Sequence, residues 1–302
     1  MVLSKQKLPP YLCLIILVCL LILGVNGCAS RGKIIKITGS DTMVNLSESW
    51  VENFMALNPA IPIAITGGGS GTGIASLISK TTDIAQSSRS IEKKELAIAK
   101  EKGITDIREF TMGHDGIVVS VNPKNPINQL TEQQLSKIFR GEAKNWKEFG
   151  GNNTRIVVLS RERNSGTHVF FLEKIVKLGK KKDPAEFGKE VLMMPSSQAI
   201  VEEIRQNPGA IGYYGLGYLT CQEKSLKISK NDKSPYVGPT VKTISDGSYP
   251  ISRPLYFYLH GEPSPNIKKF LDFALSPAGQ KVVLEMGFVP AFTGDKTVRI
   301  CK

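Results

Sequence analysis

Histidine is almost missing from this chain: three in 302 residues, His114, His168 and His260, with no metal-ligand spacing among them. That scarcity argues against a zinc centre. It also argues against hydrolysis, because Ser70 or Ser165 as nucleophile would need a base oriented by an acid, and neither His114 nor His168 stands in such a constellation. Cysteine is nearly as scarce. Cys13 and Cys19 lie in an N-terminal apolar run and Cys28 just after it, leaving Cys221 and Cys301 far apart, with nothing in their spacing to say that they meet and no disulfide framework. The fingerprints of nucleotide loops are absent too. Gly67 to Gly73 is followed by Ile74 where a Walker loop needs Lys, offers no G-x-G-x-x-G register, and has Thr72 where a nucleophile elbow around Ser70 needs Gly. Basic residues come in short runs such as Lys180 to Lys182 and Lys268-Lys269 without interleaved aromatics, so nucleic acid is not an expected partner.

What is present begins with an address. Lys5 and Lys7 precede thirteen uninterrupted apolar residues, Tyr11 to Leu23, and Val25-Asn26-Gly27-Cys28 closes the segment. Thirteen residues are few for a membrane span, and the pattern predicts an export leader over 1–27. Its ending resembles a bacterial lipobox, with Asn26 where a small or apolar residue is usual. That resemblance implies that Cys28 is lipidated, palmitate included, that 28–33 is a tether, and that the protein sits on the extracytoplasmic face of the bacterial cell membrane. The net charge of +12 predicts a solvated basic surface that attracts anions.

From Ile34 onward strands alternate with helices. Ile34 to Ile37 predicts a strand, Gly39 to Thr42 a turn, and Met43, Leu46, Trp50, Phe54 and Leu57 one face of a helix. Ile61 to Thr66 and Asp83 to Gln86 repeat the pattern, each leading through small polar residues into a helix. Such βα units build a parallel sheet whose turns line one crevice. The glycine run marks a place where backbone approaches a ligand, with Ser70 and Thr72 as hydroxyl donors. Further on, Ile117 to Val121 and Pro254 to Leu259 read as apolar strands, and Thr131 to Gln134 as a capping box. If the strands at 117–121 and 254–259 are two crossings between lobes, the crevice can close about a hinge.

The stretch Arg161 to Thr167 carries the chemistry. It follows the apolar run Ile156 to Leu159 and precedes a segment with Phe171, Leu172, Ile175, Val176 and Leu178 at helical spacing. A strand, a Ser/Gly turn and a helix start leave backbone N–H groups pointing one way, which makes an anion seat. Ser165 and Thr167 add hydroxyls, and Arg161 offers a two-pronged guanidinium for two oxygens of a tetrahedral oxyanion.

Six ordered motifs over residues 33 to 298 resemble the phosphate-binding lipoproteins of the bacterial high-affinity phosphate ABC importer. They are Gly39-Ser40-Asp41-Thr42, Gly67 to Gly73, Asp83 to Arg89, Ser165-Gly166-Thr167, Pro208 to Tyr213, and Tyr249 to Tyr256. The resemblance implies an α/β, two-lobed type II periplasmic-binding-protein fold, each lobe a mixed, mostly parallel sheet flanked by helices, joined by two hinge crossings. Lobe 1 would comprise 34–116 and 255–302, and lobe 2 would comprise 117–254. It implies a monomer that binds inorganic phosphate without cofactor, metal or catalysis and serves the transmembrane subunits of an ABC permease with their ATPase. Carried over by motif, the ligands are Thr42, the backbone of Met43, Ser70, Ser88, Arg161, Ser165, Gly166 and Thr167. Well-known family members have Asp where this chain has Ser88, and that carboxylate accepts the hydrogen bond from a protonated phosphate oxygen. Asp115, at the mouth of the hinge strand, is the first candidate to replace it and Asp41 the second; a different oxyanion (sulfate, molybdate, a phosphonate) and a phosphate-sensing surface lipoprotein are the alternatives.

Overall fold

The computed structural model describes residues 33–180 and 182–291. The leader, Cys28, Lys181 and Cys301 lie outside the described residues. In chain order the strands are β1 (Ile35–Gly39), β2 (Ile63–Thr66), β3 (Ile84–Ser87), β4 (Ile107–Val121), β5 (Gln129–Thr131), β6 (Val157–Arg161), β7 (Leu192–Met194), β8 (Ala210–Gly215), β9 (Lys224–Ser225), β10 (Lys227–Ser229), β11 (Ser252–His260) and β12 (Val289–Pro290). The helices are α1 (Val44–Leu57), α2 (Ser70–Ile78), α3 (Lys93–Glu101), α4 (Glu132–Phe139), α5 (Gly166–Phe171), α6 (Ser197–Gln206), α7 (Val241–Ser245), α8 (Pro265–Leu275) and α9 (Pro277–Glu285).

The main sheet runs β2-β1-β3-β11-β4-β8-β6-β7. Its two ends are parallel triplets, β2-β1-β3 and β8-β6-β7, as βα units require. Two antiparallel strands join them. β11 pairs with the first part of β4, and the last part of β4, Ile117 to Val121, pairs with β8. The long strand β4 therefore belongs to both halves of this mixed α/β, two-lobed molecule.

Each half has its own core. On β11, Leu255, Phe257 and Leu259 pack with Trp50, Phe54 and Phe270, whereas Tyr256 and Tyr258 pack on the other face with Ile74, Leu77 and Ala85. That alternation is the period of a strand buried on both faces. The other core gathers Ile117, Val119, Leu135, Phe139, Trp146, Phe171 and Tyr213, where Phe171 and Tyr213 stack with centroids 3.7 Å apart.

Two differences from the sequence pattern matter for the site. Where spacing predicts a strand starting at Ile117, β4 starts at Ile107 and runs through Gly113-His114-Asp115-Gly116 without turning. The glycines there serve close approach: a Cβ on Gly116 would lie 2.3 Å from the Ile244 side chain and one on Gly113 2.9 Å from the Val289 carbonyl. Second, the segment after Arg161 is not one α-helix. α5 continues into a π-helical stretch, Leu172–Val176. The helix α8, which starts with Pro at N1, has no counterpart in the sequence reading because Pro263-Ser264-Pro265 looks like a loop.

Trp50 joins the first core to α9. Its ring meets Phe257 edge-on at 5.8 Å, and its Nε1 donates to the Gly279 carbonyl at 2.7 Å. Trp50→Ala is expected to destabilise the protein by about 3–5 kcal/mol, read as a lower midpoint in urea unfolding.

Candidate functional site

The site is assembled from turns at the ends of β1, β3 and β6 and from the crossing strands. After β1 the backbone bends at Gly39, φ +140°, where a Cβ would lie 2.2 Å from the Gln86 carbonyl. Only glycine fits there. Ser40 follows, then a 3-10 turn, Asp41–Met43, that buries Thr42. The Met43 N–H donates to the Ser40 carbonyl at 3.0 Å, closing that turn.

The glycine run is only partly a loop. Gly68 and Gly69 take positive φ, but Ser70 to Gly73 already form the first turn of α2, where spacing predicts the helix from Ile74. Gly73 permits it, since a Cβ there would lie 2.4 Å from the Thr38 carbonyl of β1. Ser70 Oγ thereby faces the end of β3 and accepts from the Ser88 N–H at 3.0 Å. Ser88 Oγ lies 2.9 Å from Ser40 Oγ and 3.3 Å from Ser70 Oγ. Three buried serine hydroxyls thus form a cluster on one side of the cleft.

The opposing turn comes from β6 and α5. Ser165 is the N-cap, its Oγ accepting from the N–H groups of Thr167 and His168 at 3.2 and 3.4 Å. Gly166 sits against the serine cluster so closely that a Cβ would be 2.3 Å from Ser70 Oγ and 2.7 Å from Ser88 Oγ. Thr167 Oγ1 lies 2.9 Å from Thr42 Oγ1, hydroxyl to hydroxyl across the cleft. Asn164 fastens the rim: its carbonyl accepts from the Gly71 N–H at 3.0 Å, and its Nδ2 donates to the Gly68 carbonyl at 2.8 Å. Thr72 lies at this rim as well, its Oγ1 donating to Gly68 and 3.3 Å from Asn164 Nδ2.

Two arginines are buried in the same region, each about 2% exposed. All three nitrogens of Arg161 are engaged, Nε with the Met194 carbonyl, Nη2 with the Pro195 carbonyl, and Nη1 with Ser197 Oγ at 3.0 Å and Asp41 Oδ2 at 3.1 Å. Asp41 Oδ2 also accepts from the Ser197 N–H. The guanidinium predicted to reach a ligand therefore ties the first turn to α6. Asp115, first candidate for accepting a hydrogen bond from a protonated ligand oxygen, is likewise occupied. Its Oδ1 accepts from the Leu216 N–H at 2.9 Å and its Oδ2 from Nε and Nη2 of Arg253 at 3.2 and 3.0 Å. Burial pushes the Asp115 carboxyl up and the Arg253 guanidinium down, and their mutual attraction opposes both shifts.

Arg253 is the residue that sequence reasoning missed. Its Nη2 also donates to Thr167 Oγ1 at 2.9 Å and Thr42 Oγ1 at 3.3 Å, touching both turns at once. The signal was in view, since Arg253 stands within the motif Tyr249 to Tyr256 beside a predicted crossing. Ser40 and Asn164 were missed as well, small polar residues whose roles appear only once the turns face each other. Among the described residues no cluster of His, Cys, Asp or Glu could hold a metal ion.

Loops of hydroxyls and buried guanidinium groups, facing each other from two lobes joined at two crossing strands, define a binding protein for small oxyanions. The chain belongs to the PBP superfamily, whose domain model matches residues 25–278. It is 31% identical to the phosphate-binding protein PstS of Borreliella burgdorferi over 85% of this chain and 90% of that protein, and 33% identical to PstS of Bacillus subtilis over 84% and 79%. Among solved structures, an ABC-type phosphate transport receptor from Vibrio cholerae superposes with a TM-score of 0.67 at 28% identity, over 84% of this chain and 99% of that one. A Clostridium perfringens protein, provisionally assigned as a phosphate ABC transporter substrate-binding protein and solved with bound phosphate, superposes with a TM-score of 0.77 at 29% identity, over 86% and 100%.

Behind the site, His168 is buried beside Phe187, with Nδ1 3.2 Å from Ser160 Oγ, which also pairs with the Tyr213 hydroxyl. Burial, chiefly, holds its pKa below the usual 6.5. Below that pH the unfolded chain takes up a proton that the folded protein refuses, so stability falls as pH falls. His168→Gln should flatten the decline in unfolding free energy between pH 7 and 5 by at most about 1.4 kcal/mol per pH unit, measured by urea titration at each pH.

Proposed function

We propose that this protein binds inorganic phosphate in the cleft between its lobes and delivers it to an ABC permease with its ATPase. The observation that carries the reading is the meeting of Thr42 and Thr167 hydroxyls from opposite turns, with Arg253 donating to both. Hydrogen phosphate is strongly hydrated, so holding it dry demands a donor for nearly every lone pair. No single lobe supplies enough, and closure is coupled to binding. The ligand set we propose is Thr42, Ser70, Ser88, Ser165, Gly166 and Thr167 from the facing turns, with Arg161 and the Met43 backbone shaping them. The relatives above, phosphate-binding proteins among them, support phosphate as the ligand.

The lobe limits that accord with this reading are 34–116 with 255–302, and 117–254; the two cores follow them except at Val289, which packs with the second core. The protein is an exported monomer, held by lipid on Cys28 at the extracytoplasmic face of the membrane; the leader pattern supports that placement. Among the described residues no helix is long and apolar enough to cross a membrane. Binding, not catalysis, is the role.

A second reading has one observation in its favour. Both Asp115 oxygens and Asp41 Oδ2 already accept protein donors and position 88 carries a hydroxyl, so few carboxylate oxygens remain to select a protonated ligand, and sulfate becomes a competitor. Calorimetric titration separates the two. The expected result is tight binding of phosphate with a weaker or absent response to sulfate; sulfate binding without phosphate binding would replace the ligand and leave the fold assignment intact.

A further inference from the structure

We propose that Arg253 takes an oxygen of the bound oxyanion directly through Nη1, and that Asp115 is the positioning residue that aims it. The inference deepens the oxyanion-binding reading and rests on it.

Arg253 carries five N–H donors in a fixed fork. Nε and Nη2 are directed at Asp115, and Nη2 also reaches the two threonine hydroxyls. Nη1 is buried and has no hydrogen-bond partner. An unpartnered donor on a cation is costly to bury, and native interiors leave few of them. Here the orphaned nitrogen belongs to the same planar group whose other end touches Thr42 and Thr167, the hydroxyls proposed to meet the anion. A tetrahedral oxyanion seated against those hydroxyls would satisfy Nη1 with a charge-assisted bond.

The placement is structural rather than incidental. Arg253 on β11 and Asp115 on β4 are direct register partners in the antiparallel ladder. Gly215 lies against the pair, since a Cβ there would be 2.9 Å from Asp115 Oδ2 and 2.7 Å from the Thr42 side chain. The guanidinium centre also lies 5.6 Å from the Phe170 ring, which limits its swing. Arg161, by contrast, has all three nitrogens committed to Asp41, Ser197 and two carbonyls. Arg161 links the two turns through these contacts, and Arg253 is the arginine with a whole nitrogen left for the ligand.

The test is phosphate titration calorimetry on the wild type, Arg253→Lys and the double variant Arg253→Gln/Asp115→Asn. Lysine keeps a cation opposite Asp115 but loses the fork, and the double variant leaves no unpaired buried charge. Both should stay folded by circular dichroism and bind phosphate roughly 10- to 150-fold more weakly, the worth of one charge-assisted hydrogen bond. A crystal structure of the wild-type phosphate complex should place Nη1 within about 3.2 Å of a phosphate oxygen. Wild-type affinity in a folded Arg253→Lys protein, or an Nη1 pointing away from phosphate in the complex, overturns this inference and leaves phosphate binding standing. A wild type that binds no phosphate overturns the phosphate reading and this inference with it.

Discussion

Two buried guanidinium groups in one cleft repel each other, and the rest of the site is arranged around that repulsion. Arg161 depresses the pKa of Arg253 by its charge, as desolvation does more strongly. Each cation has one carboxylate, Asp41 for Arg161 and Asp115 for Arg253. The cleft is therefore close to neutral before any anion arrives. Its attraction for a ligand comes from oriented O–H and N–H dipoles, which act at short range and discriminate shape, rather than from net charge. The long-range pull belongs to the surface of this +12 chain, where salt screens it.

The two ion pairs differ in what they connect. Arg253 and Asp115 sit opposite each other on neighbouring strands at the crossing, so their spacing is fixed by the ladder. Arg161 and Asp41 lie at the ends of β6 and β1, in different halves of the sheet. A rotation of the halves about the crossing leaves the first pair intact and pulls the second apart. One pair is a fixed floor and the other a latch. Asn164, reaching the glycine loop through three polar contacts, works on the side of the latch.

Most of the architecture was legible because βα units announce themselves by period and by the small residues between them. Ile37, Trp50 and Phe54 fall where apolar spacing puts them, inside one core. The failures have physical causes. Apolar spacing starts a strand only at Ile117, yet Gly113 and Gly116 let Val289 and Ile244 approach a strand that already runs through them. Ser70 to Gly73 reads as loop because glycine disfavours helix, but close packing on Thr38 outweighs that preference. In the site, hydroxyl-bearing turns were legible one by one. The place of Arg253 among them was not, because its contacts with Asp115, Thr42 and Thr167 join strands and turns far apart in the chain.

A latch made of protein–protein contacts also has an energetic consequence. The Asp41 to Arg161 pair, the Ser197 N–H on Asp41 and the Asn164 contacts all form on closure and require nothing from the ligand. They favour the closed state in its own right, as does the contact of the Thr42 and Thr167 hydroxyls across the cleft. Binding then draws on a population that closure has partly prepared, which raises apparent affinity. The same contacts oppose opening, so a partner that promotes release would have to bind the open form more tightly than the closed one. If the ligand is handed to a membrane permease, as proposed above, affinity and delivery are set by the same few rim residues and pull in opposite directions.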